Sequence, residues 1–396
     1  MLFPKIPARQ AALVVVGLAF FTDALVYAML PPLLPEYARL HGLDQSQLGL
    51  LFGAYAAALL LATLPLGAWV DRSGRRGAFL GGLIGFGVAT LLFAGAGSFA
   101  LLMLARMFQG VAAAATWVAG MALLADHFPD QRRGQAMGTV FACSNLGLFL
   151  GPALAGWMTR VASPRSAFLL VAGLALLDAL ARLVLLPRGE SGPPRPGSGG
   201  YRALLRDGPI RVLAGVMGLG ALLGATMEAL LPLRLAGQLG MGAGGIGLAF
   251  TGTALATMLG TPLVGRWTDR LGPGAPLRLG LALGAALFLL APFLSSPAAV
   301  CAFMPALGCV CSLLMAPCGP ALARRVQARG GRDYGLVFSL LNITFSMGIM
   351  TGPVAGSILA ERLGLGVTMV LFAGGFLLYL VPLARRIPPV ARGDGS

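Results

Sequence analysis

Apolar runs of about 20 to 28 residues follow one another from residue 11 to residue 386 of this chain. A helix of that length crosses the roughly 30 Å hydrocarbon core of a lipid bilayer. The composition agrees, because only 11% of the 396 residues are charged, whereas about a quarter are charged in a soluble domain. The mean hydropathy is +0.83. A soluble enzyme, a secreted disulfide scaffold and a disordered chain are therefore excluded.

The runs predict twelve transmembrane helices, each bounded by charged residues or by Gly and Pro. The expected fold class is therefore an all-α membrane protein. A β-barrel is not expected, because its short strands would alternate apolar and polar residues. The helices are predicted near residues 11–34, 47–70, 77–97, 99–125, 135–159, 166–187, 210–236, 243–265, 276–295, 297–323, 334–360 and 364–384.

The formal net charge of +15 follows from membrane topology and does not indicate a nucleic-acid partner. Most of the 29 Lys and Arg residues fall in the connections on one side of the predicted helices. Basic residues concentrate in cytoplasmic connections, so both termini are predicted to be cytoplasmic. A multi-pass protein of the cell inner (plasma) membrane is expected. The opposite side holds only Arg39, Arg160, Arg165, Arg234 and Arg362.

One long polar connection, residues 188–208, is rich in Gly, Pro and Ser. This composition is typical of a flexible linker. It divides the chain into an N-terminal six-helix bundle, residues 1–187, and a C-terminal six-helix bundle, residues 209–396.

The two halves repeat each other in sequence. At an offset of 198, residues 67–74 superpose on residues 265–272 with the shared pattern G-x-W-x-D-R-x-G. Residues 147–152 match residues 348–353 at an offset of 201. Six helices separate the copies, so the halves have the same orientation and are expected to be related by an axis along the membrane normal. This symmetry predicts a central cavity near the bilayer midplane.

Three motifs on the expected helices resemble the major facilitator superfamily of secondary transporters. Residues 67–76 (GAWVDRSGRR) resemble its loop motif G-x-x-x-D-R-x-G-R-R, and residues 106–110 (RMFQG) its fourth-helix motif R-x-x-Q-G. Residues 147–156 (GLFLGPALAG) are similar to the fifth-helix motif of antiporters, with Ala155 replacing a glycine. The resemblance covers essentially the whole chain. It implies two pseudo-symmetric six-helix bundles and transport without a cofactor.

Within that superfamily, the chain looks most like the twelve-helix drug:proton antiporters, including the vesicular monoamine branch. Asp23 precedes three prolines in the first helix, and Glu228 lies just before a proline in the seventh. In the eleventh helix, Asn342 occupies a position where the vesicular carriers have an acidic residue. This departure leaves a monoamine substrate and the vesicular stoichiometry open.

Asp23 and Glu228 are predicted within the membrane, where a charge costs roughly 2.5 to 3.5 kcal/mol on insertion scales. No basic residue on either helix is near enough to neutralise them. Burial favours the protonated form of a carboxyl group, so such an acid can exchange a proton for an organic cation. Tyr27 follows Asp23 by one helical turn and is predicted to hydrogen-bond to it. The alternative is a structural acid that stays protonated or bonds a neighbouring helix.

Arg106 is predicted deep in the fourth helix, too far from the surface for its charge to reach water. It is a candidate to attract a carboxylate and tune its protonation, or to bind an anion. Capping of helix carbonyls is the structural alternative. If Arg106 pairs with Asp23, the two groups compete at the proton site.

The loop motif implies a conformational latch between the two halves. In the family, the carboxylate of this loop faces a helix N-terminus, where negative charge is favoured. A weaker counterpart is expected from Asp269 and Arg270, since Pro273 and Gly274 replace the trailing arginines. The first latch comprises Gly67, Asp71, Arg72, Gly74, Arg75 and Arg76.

Small residues and prolines in the fifth and eleventh helices predict close helix packing. Prolines bend a membrane helix where neighbours satisfy the freed backbone groups. Such packing is also expected to serve the rocking of one bundle on the other during alternating access. The motif residues are Gly147, Gly151, Pro152, Gly156, Gly348, Gly352, Pro353 and Gly356.

The sequence thus predicts a transporter, not an enzyme, that exports lipophilic or amine-containing organic cations in exchange for protons. Substrate, protons and the lipid bilayer are the expected partners, and a single chain holding a complete pathway favours a monomer. No metal site is expected. The first alternative is a facilitator or proton symporter of a neutral or anionic metabolite anchored by Arg106. The second is a transporter-like membrane sensor or scaffold.

Overall fold

The computed structural model describes residues 7–73, 75–185, 206–327 and 334–387, and within these ranges the regular secondary structure is helical. Within these ranges, short turns and one 3₁₀ helix, Ala291–Phe293, join the helices. The helices are α1 (Ala8–His41), α2 (Gln45–Ser73), α3 (Arg75–Ala94), α4 (Phe99–His127), α5 (Asp130–Val161), α6 (Pro164–Leu185), α7 (Gly208–Leu239), α8 (Ala243–Leu271), α9 (Gly274–Leu290), α10 (Pro297–Met315), α11 (Cys318–Gln327), α12 (Tyr334–Leu363) and α13 (Leu365–Arg386).

Each of the twelve predicted segments is helical. The described residues contain eleven stretches that are long and apolar enough to cross a membrane, and the segment predicted at 166–187 corresponds to α6. The segment predicted at 297–323 is divided into α10 and α11 near Pro317, a residue without a backbone N–H to continue the ladder. The prediction of an all-α membrane protein is confirmed.

Helix α1 is longer than the sequence suggested. It passes through Pro31, Pro32 and Pro35 and ends at His41, whereas the expected end was residue 34. Gly42 stops it in a left-handed conformation, with φ 62°, and its N–H donates to the carbonyl of Ala38. Membrane helices tolerate prolines in this way because neighbouring groups satisfy the backbone.

The chain divides into two compact units, Met1–Arg195 with Gly240–Thr251 and Pro196–Leu239 with Gly252–Ser396. The main boundary falls within the predicted linker. The start of α8 groups with the first unit, whereas the sequence division has it in the second half. Close glycine packing accounts for this grouping, because a Cβ on Gly247 would meet the carbonyl oxygen of Pro152.

In the first unit, glycines set two helix contacts. A Cβ added to Gly147 of α5 would meet the carbonyl oxygen of Phe21 in α1. A Cβ added to Gly110 of α4 would meet the carbonyl oxygen of Tyr55 in α2. Only glycine lets these backbones approach so closely.

The second unit repeats both contacts. Gly348 of α12 lies against the carbonyl oxygen of Gly218 in α7, and Gly308 of α10 against that of Thr253 in α8. Gly308 and Thr253 are each 198 residues beyond their counterparts Gly110 and Tyr55. The sequence repeat is therefore also a repeat of backbone packing within each unit.

Helices α4 and α10 also begin alike. The hydroxyl oxygen of Ser98 accepts from the N–H of Leu101 at 3.3 Å, and that of Ser296 accepts from the N–H of Ala299 at 3.2 Å. These serine N-caps satisfy backbone donors that the first turn leaves without a helical partner. The two caps fix where helices α4 and α10 start.

Large apolar side chains cover outward-facing helix surfaces. Leu61, Phe293 and Leu378 are 75%, 77% and 74% exposed in the protein alone. Exposed apolar surface on this scale requires another apolar medium, since soluble proteins limit such patches. The lipid bilayer supplies that medium.

Candidate functional site

Asp23 lies in the middle of α1 and is 7% exposed. Its carboxylate accepts two hydrogen bonds from neighbouring helices. Tyr55 Oη of α2 donates to Oδ1 at 2.7 Å, and Trp117 Nε1 of α4 donates to Oδ2 at 2.8 Å. Both donors are electrically neutral, so they hold the carboxylate without cancelling a charge.

Arg106 lies in α4 and is 1% exposed. Its Nε donates to the carbonyl oxygen of Leu51 at 3.3 Å, and its Nη1 donates to Gln109 Oε1 at 3.0 Å. Gln109 in turn donates through Nε2 to Thr90 Oγ1 at 3.1 Å. Ser98 caps α4 eight residues before Arg106, which puts the guanidinium roughly 12 Å below that end of the helix. The cation is thus buried and held by polar groups of α2 and α4.

Arg106 reaches Asp23 only through Tyr55. The guanidinium carbon lies 4.8 Å from the centroid of the Tyr55 ring, a cation–π distance. Among the described side chains, Arg106 and Asp23 form no ion pair of 4.0 Å or less. The direct pairing considered from sequence is therefore replaced by a chain from guanidinium to phenol to carboxylate.

Tyr27 contributes its ring to this site. Its ring centroid lies 5.8 Å from that of Tyr55 and 6.0 Å from that of Phe52. Both described hydrogen bonds to Asp23 come from other helices, although sequence reasoning assigned one to Tyr27. The side chain of Tyr27 lies along the surface of the same helix as Asp23. Tyr55 and Trp117 approach the carboxylate from the facing helices α2 and α4.

Aromatic rings surround the indole that holds Asp23. The ring centroid of Trp117 lies 3.8 Å from that of Phe20 and 6.0 Å from that of Phe141. Phe20 is fully buried in a cluster of apolar residues from α1, α3, α4, α5 and α6. The indole of Trp117 is therefore packed between helices, and its N–H donates to the Asp23 carboxylate.

Tyr55 and Trp117 are the site residues that sequence reasoning missed. Neither was among the candidate site residues that the sequence indicated. A usable signal was present, because a buried Tyr or Trp needs a partner for its O–H or N–H. Asp23 is the acceptor that such donors require. What the sequence lacked was the pairing of helices α1, α2 and α4.

The second unit carries the other candidate acid. Glu228 of α7 is half-buried and lies one turn after Gly224. A Cβ on Gly224 would lie 3.7 Å from Cys311 Sγ of α10, so this face of α7 turns toward α10. Asn342 of α12 is exposed, and its Oδ1 accepts from Ser346 Oγ at 3.2 Å. Among the described residues, no group of three or more His, Cys, Asp or Glu is arranged to hold a metal ion.

Much of the predicted first latch lies outside the described part of the structure. This applies to Gly74 and to the side chains of Asp71, Arg72 and Arg75. Gly67 is described only as part of α2, and Arg76 is a half-buried residue at the start of α3.

The predicted second latch pairs within its own unit. Asp269 Oδ1 lies 3.6 Å from Arg324 Nη2 of α11, and both side chains are more than half exposed. Arg270 is exposed in the last turn of α8. The latch function of these residues stays a prediction.

The packing-motif residues lie at tight helix contacts. A Cβ on Gly151 would be 2.8 Å from the carbonyl oxygen of Leu25, and one on Gly352 would be 2.8 Å from that of Leu222. Gly156 faces Ala243 of α8. The remaining motif positions are Gly356, which faces Thr226 and Leu230, and Pro152 and Pro353, which are buried inside α5 and α12.

A family match and two similar proteins indicate the same class of membrane transporter. The family described as Major Facilitator Superfamily matches residues 16–242 and 224–395. The rat chromaffin granule amine transporter is 30% identical over 344 residues, which cover 85% of this chain and 65% of the rat protein. The human synaptic vesicular amine transporter is 27% identical over 338 residues, which cover 83% of this chain and 66% of the human protein. The chain thus spans just under two thirds of the length of these relatives.

Solved structures agree at the level of the fold. A bacterial homologue of the human lysosomal transporter Spinster, in an inward-facing and unoccupied conformation, superposes with a TM-score of 0.79 at 16% identity. The match covers 97% of each chain. The nucleoside transporter NupG superposes with a TM-score of 0.77 at 12% identity, over 97% of this chain and all of the other.

Proposed function

Because the chain belongs to the Major Facilitator Superfamily, whose members are transporters and not enzymes, we propose that it exchanges organic cations for protons. The proposed cargo is a lipophilic or amine-containing cation that leaves the cell as protons enter. Alternating access, in which the binding site opens to one side of the membrane at a time, is the proposed mode of movement.

The observation that carries the proposal is the environment of Asp23. This buried carboxylate accepts hydrogen bonds from two neutral donors, Tyr55 and Trp117. No ion pair within 4.0 Å neutralises this carboxylate among the described side chains, so a proton or an organic cation is favoured to neutralise it. Because both neutralise the same group, their binding is mutually exclusive. Such competition is the physical basis of antiport.

The relatives support the cargo class. Those compared here are amine transporters of chromaffin granules and synaptic vesicles by name. An amine that is protonated at neutral pH presents the N–H donors and positive charge that a carboxylate binds best. The aromatic rings around Asp23, from Phe20, Tyr27 and Trp117, also suit an organic cation.

Glu228 is proposed as a second proton-linked group. It is the half-buried acid of α7 in the second unit. Asn342 contributes only a neutral amide, so α12 adds no further titratable charge at that position. We therefore propose that the proton count per cycle depends on Asp23 and, at most, Glu228.

The environment of Arg106 weighs against an anionic substrate anchored there. Its guanidinium is 1% exposed, donates to Leu51 and Gln109, and lies against the Tyr55 ring. A substrate carboxylate would have to enter this buried site to reach it. We propose that Arg106 acts on the proton site instead.

Cellular location and orientation are also proposals. The excess of basic residues in one set of connections supports cytoplasmic termini. We propose that the protein functions as a monomer in the cell membrane, because one chain supplies both units. Labelling of single cysteines introduced near each terminus, from one side of intact cells, tests the orientation.

Transport into proteoliposomes tests the function. The protein is reconstituted, a pH gradient is imposed, and movement of a panel of organic cations is measured for wild type, Asp23→Asn, Glu228→Gln and Arg106→Ala. We expect gradient-driven movement of at least one cation, with loss of that movement in Asp23→Asn. Glu36→Gln is the matched control, because Glu36 lies on the same helix but forms an outer ion pair with Arg39 at 2.6 Å. Intact gradient-driven transport in Asp23→Asn would contradict the assignment of Asp23 as the group that exchanges a proton for the cation.

A further inference from the structure

The two oxygens of the Asp23 carboxylate are chemically unequal. Oδ1 accepts from the phenol of Tyr55, and Oδ2 accepts from the indole of Trp117. A phenol O–H both donates and accepts hydrogen bonds, whereas an indole N–H only donates. One neighbour is thus able to reverse its role when Asp23 takes up a proton, and the other is not.

This inequality decides where a proton is accommodated. A proton on Oδ2 along the line of the existing contact would point at the N–H of Trp117, so two donors would meet and the hydrogen bond would be lost. A proton on Oδ1 is donated to Tyr55 Oη once the phenol hydrogen turns away. Oδ2 then remains a carbonyl oxygen that accepts from Trp117. Of the two arrangements in which the new proton lies along an existing contact, only the second leaves both contacts hydrogen-bonded, which buried polar groups require.

The packing around Tyr55 permits this reversal. A hydroxyl hydrogen turns about the C–O bond without moving the ring. The ring therefore keeps its contacts with Arg106, 4.8 Å from guanidinium carbon to centroid, and with Tyr27, 5.8 Å between centroids. Arg106 is itself held by Leu51 and Gln109. The phenol oxygen thus stays opposite Oδ1 in both protonation states.

We propose that Asp23 carries its transported proton on Oδ1, that Tyr55 switches from donor to acceptor as the proton binds, and that Trp117 donates to Oδ2 throughout. The inference rests on the proposed function only in that Asp23 takes up protons. The proton comes from water, Tyr55 keeps its own hydrogen, and no covalent bond of the phenol is broken. Tyr55 and Trp117 are positioning residues in this scheme.

Other titratable groups lie on α1 and on the helices packed against it. Among them are Tyr27 on α1 itself, Arg106 on α4, Cys143 on α5 and Asp178 on α6. Cys143 Sγ faces Gly17, almost two turns before Asp23. The described hydrogen bonds to Asp23 come from Tyr55 and Trp117 alone. The switch is therefore assigned to Tyr55.

Infrared difference spectroscopy of the full chain in lipid vesicles tests the switch. Acidification is expected to produce the C=O band of a protonated carboxyl group together with a shift of a tyrosine C–O band from the donor to the acceptor position. Labelling with ring-¹³C tyrosine identifies the second band. The tyrosine change and the part of the carboxyl band that belongs to Asp23 are expected to vanish in Asp23→Asn. The tyrosine change is expected to vanish in Tyr55→Phe and to persist in Trp117→Phe, whose carboxyl band moves because its carbonyl oxygen loses a donor.

The pH profile of cation binding supplies a second measurement that does not depend on one variant. Trp117→Phe removes a donor that favours the ionised carboxylate. Tyr55 hydrogen-bonds to both the ionised and the protonated form of Asp23. Tyr55→Phe therefore destabilises both forms, and the two effects on the pH midpoint partly cancel. We expect the pH midpoint to move further in Trp117→Phe than in Tyr55→Phe. The opposite order would overturn the assignment of the proton to Oδ1.

The outcomes separate the inference from the proposed function. A carboxyl band that depends on Asp23 but appears without a tyrosine change overturns the switch, even if Asp23-dependent cation transport is intact. Paired carboxyl and tyrosine changes support the switch, even if no cation tested is transported. A tyrosine change that survives in Tyr55→Phe assigns the switch to another tyrosine and overturns the proposal. Absence of any carboxyl band in wild type also overturns it.

Discussion

Arg106 lies against the face of the Tyr55 ring, with its guanidinium carbon 4.8 Å from the ring centroid. The phenol at the other end of that ring donates to Asp23 at 2.7 Å. A positive charge and a negative charge inside one helix bundle are thereby connected through a neutral aromatic residue. Each charge keeps polar contacts of its own.

Arg106→Lys is expected to slow exchange about tenfold, which corresponds to about 1.4 kcal/mol in activation free energy. Lysine retains the charge but lacks the planar guanidinium that stacks on Tyr55 and donates to Leu51 and Gln109. Initial rates of gradient-driven cation exchange check this. Arg39→Lys, at the exposed end of α1, is the control and is expected to transport normally. A wild-type rate for Arg106→Lys would show that charge alone suffices.

Gly147→Ala is expected to lower stability by about 1 to 3 kcal/mol, the usual cost of overpacking. Its new Cβ would meet the carbonyl oxygen of Phe21. Gly138→Ala on the same helix meets nothing within 4 Å, so it is expected to be neutral or stabilising by up to about 1 kcal/mol. Thermal unfolding of the purified variants compares them. Equal melting temperatures would contradict the close contact between α1 and α5.

Removal of either serine N-cap is expected to cost about 1 kcal/mol. Ser98→Ala deprives the N–H of Leu101 of its acceptor, and Ser296→Ala does the same to Ala299. Similar losses in both variants are expected because the two caps have the same geometry. Ser295→Ala, next to the second cap, is the control for thermal unfolding. A loss in the control as large as in Ser296→Ala would argue against capping.

Asp269→Asn is expected to change stability by less than about 1 kcal/mol, because exposed ion pairs contribute little. Its partner Arg324 lies 3.6 Å away, and both side chains are more than half exposed. Any effect is expected to disappear in high salt, which screens exposed charges. Thermal unfolding at two ionic strengths measures this. A large change in transport without a change in stability would instead support a latch role for Asp269.

The sequence predicted the helices well because membrane spans are determined by local composition. A run of about 20 apolar residues has few alternatives to a helix, since lipid offers no hydrogen bonds to its backbone. The end of α1 was missed because Pro31, Pro32 and Pro35 ordinarily end a helix in water. In this bundle the helix continues to Gly42, whose left-handed conformation is a local signal that the sequence also contained.

The candidate site was predictable in part. Asp23 and Arg106 stood out because a buried charge is rare in a membrane helix. Tyr55 and Trp117 did not, because their role depends on which faces of α1, α2 and α4 meet. That information is not local to any one helix. A hydrogen bond between residues 94 positions apart, such as that from Trp117 to Asp23, is specified only by the packed bundle.

The close approach of Gly110 to the backbone of Tyr55 determines where the charged side chain of Arg106 lies. Gly110 follows Arg106 by one helical turn. The contact that fixes the position of α4 along α2 therefore also fixes the position of the guanidinium along α2. A slip of one turn, about 5.4 Å, would carry Arg106 away from the ring. Gly110 thus sets the distance between the Arg106 guanidinium and the Tyr55 ring, although glycine itself carries no charge. In the second unit the equivalent glycine contact aligns Met304 with Thr253, so the second copy has no charged side chain at this pair of positions.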